Sequence, residues 1–360
     1  MKRTKLLPIS CLIAMSMACG KDKKEDKTPP AAVIPDVLES VGTLEIPDAQ
    51  GKFSFDSGNL IAKSRGGVVI VDPGTLTETR VSGVDTYIGR YFLGNDKKSL
   101  AVANDDFLYA YSIEDGQASL LQKYSWNTDG LKPVDLNQPH EETDESLSLS
   151  TQQRSISSAK LGDTRFAFSY GTNKTYLTLL NFKDMNSPSI SAVEMPQGIA
   201  TQLFHADQST RRIFLTDEID FKVLDLNQPN PVFQTQTLKN IESFLTSEAF
   251  TVIDGKFLVR VTFDHIQIFD MNDLSNPLAE VEHKVDKPSW SDTPIHFVGR
   301  KILIPELDGL AVWSIDDMKN PKLLGRTVRK DFLSDLIVVD DNTLAAVYHR
   351  RLEILKFKKP

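Results

Sequence analysis

Ile266-Gln267-Ile268-Phe269-Asp270, followed by Asn276-Pro277, is one of four adjacent stretches written in the same order of residue types. The others are Tyr176-Leu177-Thr178-Leu179-Leu180-Asn181 with Asn186-Ser187-Pro188, Phe221-Lys222-Val223-Leu224-Asp225 with Asn230-Pro231, and Leu310-Ala311-Val312-Trp313-Ser314 with Asn320-Pro321. Each is a short run rich in strand-favouring side chains. Each closes on Asp, Asn or Ser and then reaches a proline, which cannot donate to a central ladder and so marks a corner. The closing residues 181, 225, 270 and 314 are 44, 45 and 44 positions apart. A strand pattern that repeats at about 40 to 45 residues is the spacing of an architecture built from equal antiparallel sheets.

Three weaker copies extend the series: Val68-Val69-Ile70-Val71-Asp72, Leu108-Tyr109-Ala110-Tyr111-Ser112 and Leu352-Glu353-Ile354-Leu355-Lys356. Ahead of each copy lies a turn of Gly, Asp or Asn between two apolar runs, for example at Asp56-Ser57-Gly58, Asn95-Asp96-Lys97, Asp254-Gly255 and Gly299-Arg300. Such residues accept the positive φ of tight hairpins. The reading is therefore strand, turn, strand, turn, anchored strand, corner, strand. The expected fold is all-β, a seven-bladed β-propeller of four-stranded antiparallel blades over residues 37–360. The last copy ends at Lys358-Lys359-Pro360 and has no fourth strand after it. The segment Glu39 to Pro47 is expected to supply that strand and close the ring, because it resembles Leu323 to Val328. Closure removes edges that invite aggregation. The one long step, from 112 to 181, contains a polar stretch at about 127–153 read as an insertion on one blade.

The start of the chain reads as an export signal over residues 1–18: Lys2, Arg3 and Lys5, then an apolar run from Leu6 to Ala18. Ser16-Met17-Ala18-Cys19-Gly20 resembles a bacterial lipoprotein cleavage box, with Ser16 where such boxes usually carry Leu. Of the two cysteines, Cys11 lies in the removed segment, so Cys19 would have no disulfide partner in the mature chain. Acylation of Cys19, with palmitate-like chains, is the expected fate, and the resemblance implies several chains on that one residue. Residues 19–36 then form a charged tether with nothing apolar to bury. Gly20, rather than aspartate, after Cys19 implies the outer membrane by the same resemblance. The net charge of −8 falls further once the three basic signal residues leave, which argues against nucleic acid as a partner.

Val68 to Asp72, with the Asn-Pro copies that share its grammar, resembles the LVIVD repeat of bacterial exported propellers. The resemblance spans roughly residues 39 to 357 and implies a fold, with no reaction attached.

Local signatures of chemistry are absent: no His-Glu-x-x-His, no Gly-x-Ser-x-Gly, no phosphate loop and no Asp-rich calcium loop. No catalytic residue, metal or cofactor is assigned. In propellers the turns between second and third strands share a face with the blade-to-blade connections, and that face usually hosts ligands. The residues expected there are Asp217, Asp220, Asp264, His265, Asp308 and Arg350, with Trp126 and Trp290 on the blade-to-blade connections. Exposed Trp beside mixed charge has the composition of a protein-binding hot spot. His205 and His296 fall on expected innermost strands and could face the central channel. The leading functional expectation is a non-enzymatic envelope lipoprotein, a monomeric propeller whose rim binds another protein. The alternative is a small-ligand or metal-binding propeller, or a hydrolase, with Asp217, Asp264, Asp308 and His265 converging at the channel mouth.

Overall fold

The computed structural model describes residues 36–84, 89–104, 107–127, 130–135, 148–149, 160–161, 164–170, 175–185, 187–195, 203–207, 209–216, 220–237, 247–262, 264–283, 295–306, 309–328, 333–348 and 350–358. Their regular structure is all β. The described chain opens with β1 (Leu38–Glu45). A first antiparallel meander is β2 (Gln50–Asp56), β3 (Asn59–Ser64), β4 (Gly67–Asp72) and β5 (Thr77–Ser82). A second is β6 (Arg90–Leu93), β7 (Ser99–Ala103), β8 (Phe107–Glu114) and β9 (Gln117–Asn127), widened by β10 (Gly130–Pro133). A single parallel pairing, Ser82 with Gln117, joins these two meanders into one nine-stranded sheet.

The third sheet begins with two pieces, β11 (Ser148–Leu149) and β12 (Lys160–Leu161), both paired to β13 (Thr164–Tyr170), and continues as β14 (Thr175–Asn181) and β15 (Ser189–Glu194). Four-stranded sheets follow: β16 (Leu203–Asp207), β17 (Arg212–Thr216), β18 (Asp220–Asp225) and β19 (Phe233–Thr237); then β20 (Ser247–Ile253), β21 (Phe257–Thr262), β22 (His265–Asp270) and β23 (Ala279–Glu282). The next is β24 (His296–Val298), β25 (Lys301–Glu306), β26 (Gly309–Ser314) and β27 (Lys322–Val328). The last is β28 (Asp335–Asp340), β29 (Thr343–Tyr348) and β30 (Arg351–Phe357), with β1 as its fourth strand.

That final pairing is antiparallel, Leu38 opposite Phe357 through Glu45 opposite Arg351, with a bulge between Ser40 and Gly42. The expected segment therefore does complete the last sheet. It is pinned from a neighbouring sheet as well, because the Thr327 hydroxyl donates to Asp36 at 2.7 Å.

The anchors all lie on third strands, and their chemistry explains the repeat. The side-chain oxygens of Asp72, Asn181, Asp225 and Asp270 each accept the backbone N–H two residues on, at 2.9, 2.9, 2.9 and 2.8 Å. Ser314 Oγ accepts the Asp316 N–H in the same way at 3.1 Å. The residue that closes each copy thus folds the corner leading to the fourth strand. The expected first hairpin turns are also present, with Ser57 and Gly58 at φ 48° and 76° and Asp254 and Gly255 at 53° and 64°.

Second and third strands are covered on both faces, as in β26 and β29, where every residue is buried. Such strands read as unbroken apolar runs. Fourth strands such as β5 and β15 are largely open to solvent. The core is divided into clusters, each between two neighbouring sheets. One joins β3 and β4 to the second meander through Ile61, Val68, Leu100 and Tyr111. Another joins the last sheet back to the first through Ala345, Leu352, Leu60 and Val69. The packing closes on itself.

One expectation needs refinement. The described parts of the polar stretch at 127–153 are paired backbone. β10 forms a hairpin with the end of β9, and β11 supplies the upper half of a first strand whose lower half is β12. The long step is in part a lengthened fourth strand and in part a first strand cut in two.

Candidate functional site: the rim and the axial lining

Meander topology puts the turns between second and third strands at one end of every sheet, here called the rim. Asp264 sits there, between β21 and β22; His265 was expected in the same turn but is the first residue of β22, opposite Glu282. His265 Nδ1 donates to Asp264 Oδ1 at 2.7 Å, and Glu280 Oε1 lies 3.9 Å from Nε2. The Thr262 hydroxyl also donates to Asp264 at 3.2 Å. The hydrogen bond to Asp264 raises the His265 pKa, and the same bond lowers that of Asp264. The Asp264 side chain is 63% exposed, so this is a hydrogen-bonded carboxylate–imidazole pair held in one geometry and presented to water.

His283, which the sequence reading left without a role, flanks the same turn. Its backbone N–H donates to the Asp264 carbonyl at 2.7 Å, and its Nε2 donates to the Thr262 carbonyl at 2.9 Å. Burial lowers its pKa. Two histidines beside one turn are thus driven apart, one toward the cation and one toward the neutral ring.

The other rim candidates are distributed unevenly. Arg350 is exposed on the turn between β29 and β30. Asp220 was expected in a turn but is the first residue of β18, opposite Thr237. Trp126 was expected on a connection but lies within β9, opposite Leu131 of β10, because that fourth strand runs on into an added hairpin. Asp217, Asp308 and Trp290 lie outside the described residues, as does Cys19. Among the described residues no group of three or more His, Cys, Asp or Glu side chains is arranged to hold a metal ion.

The first strands line the centre, and β2 packs against both β6 and β28, as β16 does against β20. Register places His205 opposite Phe214 and Val223, Thr251 opposite Val259 and Ile268, His296 opposite Leu303 and Val312, and Ser54 opposite Ile61 and Ile70. Val223, Ile268, Val312 and Ile70 each stand two residues before an anchor, so the four first-strand residues share one level. His205 and Thr251, on neighbouring sheets, meet at 3.1 Å. Positions of the same parity reach across elsewhere too: buried Asp56 accepts the Leu93 N–H at 2.9 Å. The same level also holds apolar residues, Phe92 of β6 and Ile337 of β28, which pack into the core, while the next positions along β20, Phe250 and Val252, pack into another cluster.

Burial drives the pKa of both His205 and His296 down to about 4, so both rings are neutral at ordinary pH. His296 is 7% exposed, and its Nε2 has no hydrogen-bond partner among the described residues. Arg90 begins β6 opposite Ala103, which pairs with Leu108, four residues before Ser112. It stands on the same parity, one step nearer the rim. Burial lowers its pKa to about 10.

No family model matches the chain, and no curated protein matches it. Solved structures do. A chain of a structure described as "Crystal Structure of Mitotic Checkpoint Complex" superposes with a TM-score of 0.55 at 10% sequence identity, covering 97% of this chain and 100% of that one. At that identity the likeness carries the fold alone. Together with the self-closing ring of antiparallel sheets, it makes this chain a β-propeller.

Proposed function

We propose that the chain is a non-enzymatic envelope lipoprotein of the LVIVD-repeat type, anchored at the outer membrane through acylated Cys19. Its monomeric propeller of seven blades binds another protein on the rim. The blade number is supported by the core, in which one apolar cluster sits between each successive pair of meanders and the last meets the first. The lipid anchor and the membrane assignment rest on residues 1–27 as a sequence.

The observation that carries the binding assignment is the Asp264–His265 pair. Its groups satisfy one another at 2.7 Å and are braced by Thr262, so presenting them to a partner loses little conformational freedom. Exposed Arg350 adds a positive charge on the same face. Mixed, preorganised charge at a rim suits recognition and orientation of a protein surface. The structural relative named above belongs, by its description, to a complex of proteins.

The test uses the full chain as bait in detergent-solubilised membranes, beside the double variant Asp264→Ala/Arg350→Ala. A discrete partner retained by the parent and lost from the variant supports the assignment. Equal recovery by both, or none by either, contradicts it.

A further inference from the structure

We propose that His265 is a pH-sensitive latch on the rim: its protonated ring ties Asp264, in the turn between β21 and β22, to Glu280 on the outermost strand β23. The regulatory consequence rests on the rim-binding reading above, because the latch orders the surface which that reading gives to a partner. The latch itself is a property of the chain alone.

One ring stands between carboxylates from two elements. His265 Nδ1 donates to Asp264 Oδ1 at 2.7 Å, and Nε2 lies 3.9 Å from Glu280 Oε1. The first bond fixes the tautomer, since a neutral imidazole carries one N–H and Asp264 takes it. Nε2 of the neutral ring then holds a lone pair, which a neighbouring carboxylate repels. Only the cation turns an N–H and a positive charge toward Glu280. At 3.9 Å the contact is longer than a hydrogen bond, so it is a charge pair, made by protonation and unmade by its loss. Glu280 Oε1 is steadied for it by Gln267 Nε2, which donates to the same oxygen at 3.1 Å. Gln267 accepts in turn from Arg260 of β21 at 3.4 Å. The contacts thus run from the turn through β22 to β23 and back to β21.

The other charges around the ring favour its protonated form or are neutralised. Glu282 stands opposite His265 across the ladder. His283, just past β23, is buried with its pKa lowered, so it adds no positive charge near neutral pH. From the next sheet the charge of Glu306 acts on His283, and Glu306 is paired with Arg326 at 3.0 Å. In the preceding sheet Asp217 and Glu218, between β17 and β18, lie outside the described residues. The Asp264 hydrogen bond first, then the charges of Asp264, Glu280 and Glu282, hold the His265 pKa above the ordinary 6.5. A raised pKa makes the latch fully stabilising below the ordinary value, and that contribution is lost as pH rises through the folded one. Below the transition the rim is preorganised for its partner; above it β23 is freer.

The experiment uses the full chain in detergent, with no partner added, so failure of the latch and failure of the rim-binding reading are separate results. Histidine ring NMR follows the titration of His265, identified by the signal lost in His265→Gln. The midpoint should lie above 6.5 in the parent, fall in Glu280→Gln and fall further in Asp264→Asn. Glu280→Gln removes the charge while keeping an oxygen for Gln267, so the fold is retained. Hydrogen exchange then reads the outermost strand. Protection of residues 279–283, corrected for the chemical pH dependence of exchange, should drop roughly two- to fivefold between about pH 6 and about pH 8.5 in the parent, the scale of an exposed charge pair. In Glu280→Gln it should not change. A midpoint that Glu280→Gln leaves in place, or protection that is constant in the parent or changes equally in both chains, would overturn the proposal.

Discussion

Replacing His296 by leucine should make the protein markedly less sensitive to acid. In the folded chain burial holds the His296 pKa at about 4, against an ordinary 6.5. The unfolded chain therefore takes up a proton between those values that the folded chain refuses. Stability is full above the unfolded pKa and is lost as pH falls toward the folded one. With one pKa unit worth about 1.4 kcal/mol, the full loss from this ring approaches about 3 kcal/mol, of which roughly 2 is gone by about pH 5. His205 adds a similar loss from the same cause. His265 works in the opposite sense, since its pKa is raised, but it is partly exposed and solvent screens it. The difference between parent and variant cancels both of these contributions. Leucine also removes the unpartnered Nε2, whose burial is worth about 1 to 3 kcal/mol. The assay is urea unfolding of parent and His296→Leu at about pH 7.5 and about pH 5, where the gap in favour of the variant should widen by roughly 2 kcal/mol on acidification. A gap that stays constant with pH would refute the buried neutral imidazole.

Other consequences can be checked directly. Leu38 is 1% exposed on the strand that completes the last sheet, so Leu38→Ala should cost about 2 to 5 kcal/mol in unfolding free energy, far more than a tether residue could. A loss within a few tenths of that expected for an exposed site would mean the closure contributes nothing. Asp56→Ala strands the Leu93 N–H that its carboxylate receives at 2.9 Å, and should lower stability by about 1 to 3 kcal/mol. Unchanged urea midpoints would remove that link between the first two meanders. Cys19→Ala should abolish incorporation of labelled palmitate and release the chain from the membrane fraction; continued labelling would locate the lipid elsewhere.

The strand grammar was open to sequence reading because it is local. Asp72, Asp225 and Asp270 close their strands with bonds to backbone only two residues away, so the repeat had to keep them. The closing strand was legible for a related reason: the last copy had no fourth strand, and only one similar segment was free to supply it. The axial lining was not legible. His205, Thr251, His296 and Ser54 share a level, yet they lie 20, 19, 18 and 18 residues before their anchors, because the intervening turns differ in length. Only register aligns them. Trp126 was misplaced on a connection because a strand that overruns its sheet into an extra hairpin looks, residue by residue, like a loop.

The rim assignment is tested most directly by photo-crosslinking in intact cells, with a photoreactive side chain at Arg350 on the rim and, separately, at Asp341 in the turn between β28 and β29 on the opposite end of the same sheet. The account predicts a discrete crosslinked partner from position 350 and none from position 341. The same partner from both positions, or a discrete one from position 341 alone, would contradict it.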